Sequence, residues 1–365
     1  MARTSTAPFP PPPSPPSPRP PRVCLLREDG AVGGVNTVID ALCTGLQQRG
    51  WGHPDVQALR GGGPAQWWRA ARDCDVLVAT NAFRTAHVAR LLGAVLRKPV
   101  VTWVHGPLLE VLATAGTPRL QRARLRWLHR GTARFVFVSE DARRSMAAFL
   151  GTALPAGRAR VIPNPLPFDA PAAADLRPPN PPNPPNPSPG GVVEMGFVGR
   201  LSPEKEPARL LALLRSLPER FRLTVVGDGP LRATLEAAGA DLVAQGRLAF
   251  AGERPRGRTL SPEWRLTVLT SRYEGSPVSA LESVAAGIPF VAPALPAFTE
   301  AAPGPAACLL AHDASAEALA RTVQDVLALP PARLQAALDS VRARHAPARF
   351  IDAWCAALQE AADRC

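Results

Sequence analysis

Lysine is nearly missing from this chain. Its 365 residues hold 42 basic side chains, and only Lys98 and Lys205 among them are lysines. Tyrosine occurs once, at Tyr273, and aromatic residues make up only 5%. That scarcity argues against a nucleic-acid module, whose basic surface needs interleaved aromatics for base stacking. No apolar run reaches 18 residues, so no membrane-spanning helix is expected. The six cysteines (24, 43, 74, 308, 355 and 365) form no C-x-x-C pair, which suits reduced thiols in a cytosol. Residues 1–21 have no apolar core of a secretory signal; rich in Pro and Ser, they are expected to be a disordered tail. Acidic residues are scarce in the first half only. Through residue 170 there are 22 basic and 10 acidic residues, and beyond it 20 of each. The whole excess of +12 therefore sits in the first half, which suits a polyanionic partner such as an anionic membrane surface. Its most basic patch, Pro118 to Arg134, sets six arginines around Leu120, Leu125, Trp127 and Leu128. Such a helix either lies on a membrane or is solvated with one buried stripe.

What is present is an alternation of short apolar runs with helical patterns. Strands are expected at 22–27, 55–59, 75–80, 99–104, 135–139 and 159–163. A second set is expected at 193–199, 221–226, 247–251, 265–271, 288–292 and 306–311. After Gly34, the residues Val35, Val38, Ile39, Leu42 and Leu46 share one helix face. The two sets are separated by a Pro-Pro-Asn repeat, Pro178 to Pro187, which suits a semi-rigid spacer. The pattern predicts an α/β protein with two doubly wound sheets facing a cleft. The expected layout is tail 1–21, first domain 22–169, linker 170–191, second domain 192–345 and a last segment 346–365.

The densest chemistry lies in residues 270–291. Ser276 reads as an N-cap and Pro277 as the first helical residue; Val278, Leu281, Val284 and Ala285 recur on one face, and Gly287 ends the helix. Glu274 precedes this helix and Glu282 follows about 7.5 Å beyond Pro277 along its axis. Two carboxylates thus flank the free amides of a first turn, which suit an anion.

The segment resembles the E-x7-E motif of retaining glycosyltransferases of family 4, which have the GT-B fold. Six further stretches match in family order. They are Gly33-Gly34-Val35, His105-Gly106, Phe135 to Glu140, Val161-Ile162-Pro163-Asn164, Val198-Gly199-Arg200-Leu201 with Glu204-Lys205, and Val225 to Pro230. The resemblance implies a GT-B fold of two Rossmann-like domains, with the last helix packing back towards the first domain. It also implies retaining transfer of a hexose or N-acetylhexosamine from a UDP- or GDP-linked donor to a glycan or lipid-linked acceptor.

By the same resemblance, Arg200 and Lys205 hold the diphosphate and stabilise its charge as the sugar departs. Glu282 accepts from the ribose hydroxyls, and Glu274 contacts the donor sugar. His105 reaches the sugar across the cleft; a histidine at a strand end is otherwise an ordinary loop residue. Gly33, Gly34, Gly199, Gly275, Ser276 and Pro277 line the donor. Asp73-Cys74-Asp75 spells the D-x-D of metal-dependent glycosyltransferases, but it precedes a buried run and reads as a turn, so neither a catalytic metal nor another cofactor is expected. Cytoplasmic work in lipopolysaccharide or cell-surface polysaccharide synthesis, peripheral on the inner membrane face of a bacterium, follows from the family and the basic first half. An epimerase of related fold is the alternative, with a basic nucleic-acid-binding protein behind it.

Four positions depart from the family pattern. Glu206 stands where Gly or Asn is usual, Ser276 where an aromatic is usual, and Pro165 where Gly is usual. Glu300 lacks the usual Gly-Gly loop before it. The stretch 252–265 is also short for the family and is expected to lack a helix.

Overall fold

The computed structural model describes residues 19–29, 33–167, 191–255 and 259–363. Residues 1–18 of the tail, the Pro-Pro-Asn stretch and Cys365 lie outside them. Two parallel six-stranded sheets organise the chain. The first contains β1 (Val23–Arg27), β2 (Asp55–Ala58), β3 (Val76–Ala79), β4 (Val100–Val104), β5 (Arg134–Phe137) and β6 (Ala159–Val161), in the order β2-β1-β3-β4-β5-β6. The second contains β7 (Val193–Val198), β8 (Phe221–Val226), β9 (Leu248–Gly252), β10 (Leu266–Val268), β11 (Phe290–Pro293) and β12 (Leu310–Ala311), in the order β12-β11-β10-β7-β8-β9. Each expected strand has a counterpart. The last is the most reduced: Gly304–Leu309, preceded by Pro303 and holding Pro305 in its first turn, winds into a 3-10 turn, and only Leu310–Ala311 pairs with β11.

The helices of the first half are α1 (Gly34–Gln48), α2 (Pro64–Asp73), α3 (Arg84–Leu96), α4 (Leu108–Thr114), α5 (Arg119–Arg130) and α6 (Glu140–Leu150). Those of the second are α7 (Ala208–Ser216), α8 (Arg232–Ala238), α9 (Ala240–Ala244), α10 (Val278–Ala285), α11 (Pro296–Ala301), α12 (Ala316–Leu327), α13 (Pro331–Arg344) and α14 (Pro347–Ala362). No described helix is long and apolar enough to cross a membrane. Cys24, Cys43, Cys74, Cys308 and Cys355 are free thiols.

Alternation along each strand explains the layers. Leu26, Leu77, Phe135 and Phe137 point to a core shared with α2 to α6. Leu25, Val76, Val78, Trp103 and Val136 point the other way, to a core shared with α1 and α14. In α14, which follows the second sheet in sequence, Trp354 meets Trp103 edge-on at 4.6 Å, and Phe350 lies 6.3 Å from the same ring. Each such aromatic pair contributes about 0.5–1.5 kcal/mol beyond burial. The last helix therefore does return to the first sheet. The crossing is tied by the Leu166 amide donating to the His345 carbonyl and by His345 Nδ1 against the Asn164 carbonyl, at 2.9 and 2.7 Å.

Two local expectations are corrected, those for Val35 and for the start of the helix after Ser276, and the reading of α5 gains detail. Val35 is exposed, because the first turn of α1 lies ahead of the stretch that packs on the sheet; Val38, Ile39, Leu42 and Leu46 are buried as the periodicity predicts. The apolar residues of α5 are divided: Leu125 and Leu128 are buried, whereas Leu120 and Trp127 face outward. The helix after Ser276 begins one residue late, and its start is described below.

Candidate active site

The site forms where the carboxyl ends of the two sheets face each other. From the second half come the turn Pro203–Lys205 after β7 and the segment from Ser271 into α10 after β10. Hydrogen bonds to backbone carbonyls join these two loops. The Arg272 amide donates to the Glu204 carbonyl at 2.9 Å, and the Thr270 hydroxyl donates to the Lys205 carbonyl at 2.9 Å. Lys205 and Glu274 are thereby held side by side, 69 residues apart in sequence, with Nζ 2.5 Å from Oε1. The Ser271 hydroxyl donates to that same Oε1 at 2.7 Å. Oε2 of Glu274 accepts nothing among the described residues and is left for a hydroxyl donor.

The helix α10 starts at Val278. Pro277 occupies the cap position, and Ser276 makes no capping bond. The cause lies just upstream, where Gly275 is pressed against the first half. A Cβ there would stand 1.7 Å from the carbonyl oxygen of His105 and 2.8 Å from Cα of Gly106. The chain must pass this contact before it winds into a helix. Glu282 is consequently about 6 Å along the axis from the first helical residue, half-buried and engaged by a partner. The amides of the first turn of α10 still open towards the cleft.

The facing wall is built by β4 and α1. His105 and Gly106 end β4, and Gly34 begins α1, with space for a Cβ only 3.4 Å from Val278 of α10. Two helix N-termini thus meet across the cleft, each with the positive end of its dipole. Gly33 precedes α1 in extended backbone that any residue adopts. His105 packs its ring on Trp103 at 4.4 Å, while its Nε2 is buried without a partner. Burial pushes its pKa down to about 3, so the imidazole is neutral at physiological pH and offers a single N–H.

Arg200 stands just beyond β7, exposed, and its side chain has no hydrogen bond or ion pair among the described residues. Its place is fixed by its neighbour: the Gly199 carbonyl lies 2.0 Å from where a Cβ on Gly227 would be, so the Gly-Asp-Gly turn after β8 closes over Gly199. The structure thus brings Lys205, Glu274, Gly275, Pro277, His105, Gly106 and Gly34 together. Arg200 and Gly199 sit on the adjacent strand end of the second sheet, and Ser276 lines the approach to α10.

The departures at Glu206 and Glu300 acquire physical reasons. Glu206 adopts a left-handed conformation, φ 42°, which Gly or Asn takes more easily. Its carboxylate is turned from the cleft loop to Arg209 and, at 2.6 Å, Arg272. Glu300 of α11 spans the two halves: it accepts the amides of Glu140 and Asp141, at 2.7 and 2.9 Å, in the first turn of α6. This carboxylate on a helix N-terminus is a clasp that sequence periodicity does not reveal. The D-x-D is a helix-to-strand turn. Asp73 ends α2 and pairs with Arg72, and Asp75 takes the amide and guanidinium of Arg22. Described residues of 252–255 and 259–265 contain no helix.

Comparison with known proteins agrees with this layout. A family model described as "Glycosyltransferase Family 4" matches residues 52–169, and one described as "Glycosyl transferases group 1" matches residues 184–339. The 2-deoxystreptamine glucosyltransferase of Streptomyces kanamyceticus is 32% identical over 66% of this chain and 63% of its own length. A GDP-mannose-dependent alpha-mannosyltransferase of Mycobacterium tuberculosis is 37% identical over 29% of this chain and 26% of its own. The matched segments therefore span less than two thirds of either relative. Among solved structures, Anabaena Alr3699/HepE in complex with UDP and glucose superposes with a TM-score of 0.72 at 17% identity, covering 93% of this chain and 99% of that one. The fold is GT-B.

Proposed function

Because the chain belongs to the glycosyltransferases that join a family 4 first half to a group 1 second half, we propose that it moves a hexose or N-acetylhexosamine from a nucleotide-sugar to an acceptor hydroxyl. The donor is UDP- or GDP-linked. The similar proteins include a glucosyltransferase, a GDP-mannose-dependent alpha-mannosyltransferase and a UDP complex, and they support that range. One observation carries the reading: Lys205 and Glu274 meet beside the α10 amides, directly opposite His105 and Gly34.

In this mechanism the bond between sugar C1 and the diphosphate oxygen breaks, and its electron pair leaves with the diphosphate. Lys205, Arg200 and the first amides of α10 stabilise the growing negative charge. Each charge-assisted contact contributes about 1.5–3 kcal/mol. Glu274 Oε2 and the neutral His105 orient the sugar hydroxyls, while Glu282 accepts from the ribose. The acceptor oxygen attacks from the departing face, its proton passes to a diphosphate oxygen, and the anomeric configuration is retained. No metal or other cofactor takes part; the cations and helix dipoles supply the charge. The acceptor is a glycan or lipid-linked sugar of bacterial lipopolysaccharide or cell-surface polysaccharide synthesis, and the enzyme works in the cytoplasm at the inner membrane face.

The test is to incubate the protein with UDP- and GDP-sugars in EDTA and follow nucleoside diphosphate release and the anomeric configuration by NMR. Release of free, epimerised sugar without acceptor would instead favour the epimerase reading. An inverted product would refute the retaining step, and absolute dependence on a divalent ion would refute the metal-free one.

A further inference from the structure

Large apolar side chains stand exposed at eight positions among the described residues, and they are not scattered. Five of them, Trp68, Leu91, Val95, Leu120 and Trp127, lie on α2, α3 and α5. These helices share one buried layer, since Ala71, Ala89, Leu125 and Leu128 belong to the same core against the first sheet. The guanidinium of Arg90 on α3 donates to the Leu128 carbonyl of α5, and Trp68 belongs to the neighbouring helix of that layer. Their outward sides therefore form one surface. On α5, Leu120 and Trp127 are seven residues apart, two turns on one side, and are 67% and 78% exposed. On α3, Leu91 and Val95 are four apart on its outer side.

The charge on this surface is of one sign. The three helices carry nine arginines and one acid, Asp73, which is already paired with Arg72. Arg119, Arg124 and Arg130 are exposed beside Leu120 and Trp127, and their side chains have no hydrogen-bond or ion-pair partner among the described residues. The opposite layer, α1 and α14, differs in both respects. It has only Val35 exposed among large apolar residues, and it carries Asp40, Asp352 and Glu360.

We infer that the α2–α3–α5 surface docks on an anionic lipid bilayer, with Trp127 and Leu120 entering the headgroup region and Arg119, Arg124 and Arg130 meeting lipid phosphates. A second copy of this chain would bring like charges face to face. A nucleic acid would engage the arginines but leave Leu91, Val95 and Leu120 against water or phosphate. Only a surface that is both negative and apolar just beneath satisfies the two features together. The inference deepens the membrane part of the proposed function and is independent of the donor.

The experiment is co-sedimentation of the full chain with vesicles of phosphatidylcholine, alone or mixed with phosphatidylglycerol. The variants are Arg119→Gln/Arg124→Gln/Arg130→Gln and Leu120→Ser/Trp127→Ser, with nucleoside diphosphate binding measured in parallel. Near an anionic surface each arginine is worth about a fivefold change in partitioning, so the triple variant should bind roughly a hundredfold more weakly. The apolar double variant should lose about tenfold or more. Both should bind nucleoside diphosphate as the parent does. Equal binding to neutral and mixed vesicles, no binding, or variants that partition like the parent would each overturn the inference. So would a dimer that dissociates in the Leu120/Trp127 variant. A parent chain that binds nucleoside diphosphate but no vesicles sinks this inference alone; a parent chain that binds mixed vesicles but no nucleoside diphosphate sinks the donor reading alone.

Discussion

Gly275→Ala is the smallest change that should disable the cleft. The added methyl group would stand 1.7 Å from the His105 carbonyl oxygen and 2.5 Å from its carbon. Both are backbone atoms at the end of a sheet strand, so neither yields by a rotamer change. An ordinary carbon–oxygen approach is about 3.3 Å, so the two walls must separate locally by about 1.6 Å. Movement of that size at a reacting centre costs about a hundredfold in rate. The methyl group does not enter the core of either sheet, and the strain is relieved by parting the halves. The thermal midpoint should therefore fall little, while kcat/KM falls about a hundredfold or more. Gly106→Ala is the control: its Cβ would meet Gly275 only at 4.0 Å, an ordinary contact. The assay is steady-state release of nucleoside diphosphate from the accepted donor, with melting curves for all three proteins. If Gly275→Ala turns over like the parent, or Gly106→Ala is impaired equally, the contact does not position the site.

The clasp and the buried histidines give two further outcomes. Glu300→Ala removes an acceptor shared by the Glu140 and Asp141 amides, so hydrogen exchange at these two should quicken about tenfold or more, equivalent to about 1.4 kcal/mol; unchanged exchange at both would refute a clasp. Burial holds His105 at about 3 and His129 and His345 at about 4, below the usual histidine range. In the unfolded chain they titrate near about 6.5, so below that pH the unfolded state takes up protons that the fold refuses. Stability should be flat above about pH 6.5 and fall as the pH drops towards about 4, by up to about 1.4 kcal/mol per unit for each histidine. Urea unfolding across that window checks the slope, and His129→Gln should reduce it by about a third; a stability that rises on acidification would contradict the assignment.

Much of this architecture is legible from residues. Runs such as Val76-Leu77-Val78-Ala79 are buried on both faces, so their composition alone marks a parallel sheet. The proximity of Lys205 to Glu274 is a different matter. Residue spacing cannot place two groups 69 positions apart, and only the family resemblance put them in one site. The late start of α10 was hidden for the same reason: Ser276-Pro277 carries a good local start signal, and a contact from the other half overrides it. Glu300 looked like a motif residue without its loop, because its closest partners are backbone amides, which leave no trace in side-chain patterns; Arg144 lies farther off, at 3.5 Å. On α5, arginines and apolar residues are mixed so densely that periodicity could not tell which leucines face the sheet.

In the proposed function, Lys205 and the start of α10 grip a diphosphate. The most direct measurement is the binding of UDP and GDP in EDTA, followed by thermal shift and calorimetry on the parent and on Lys205→Met. At least one of them should raise the melting temperature of the parent, and the variant should lose most of this gain. Absence of binding at millimolar nucleotide, or equal binding by Lys205→Met, would contradict that reading.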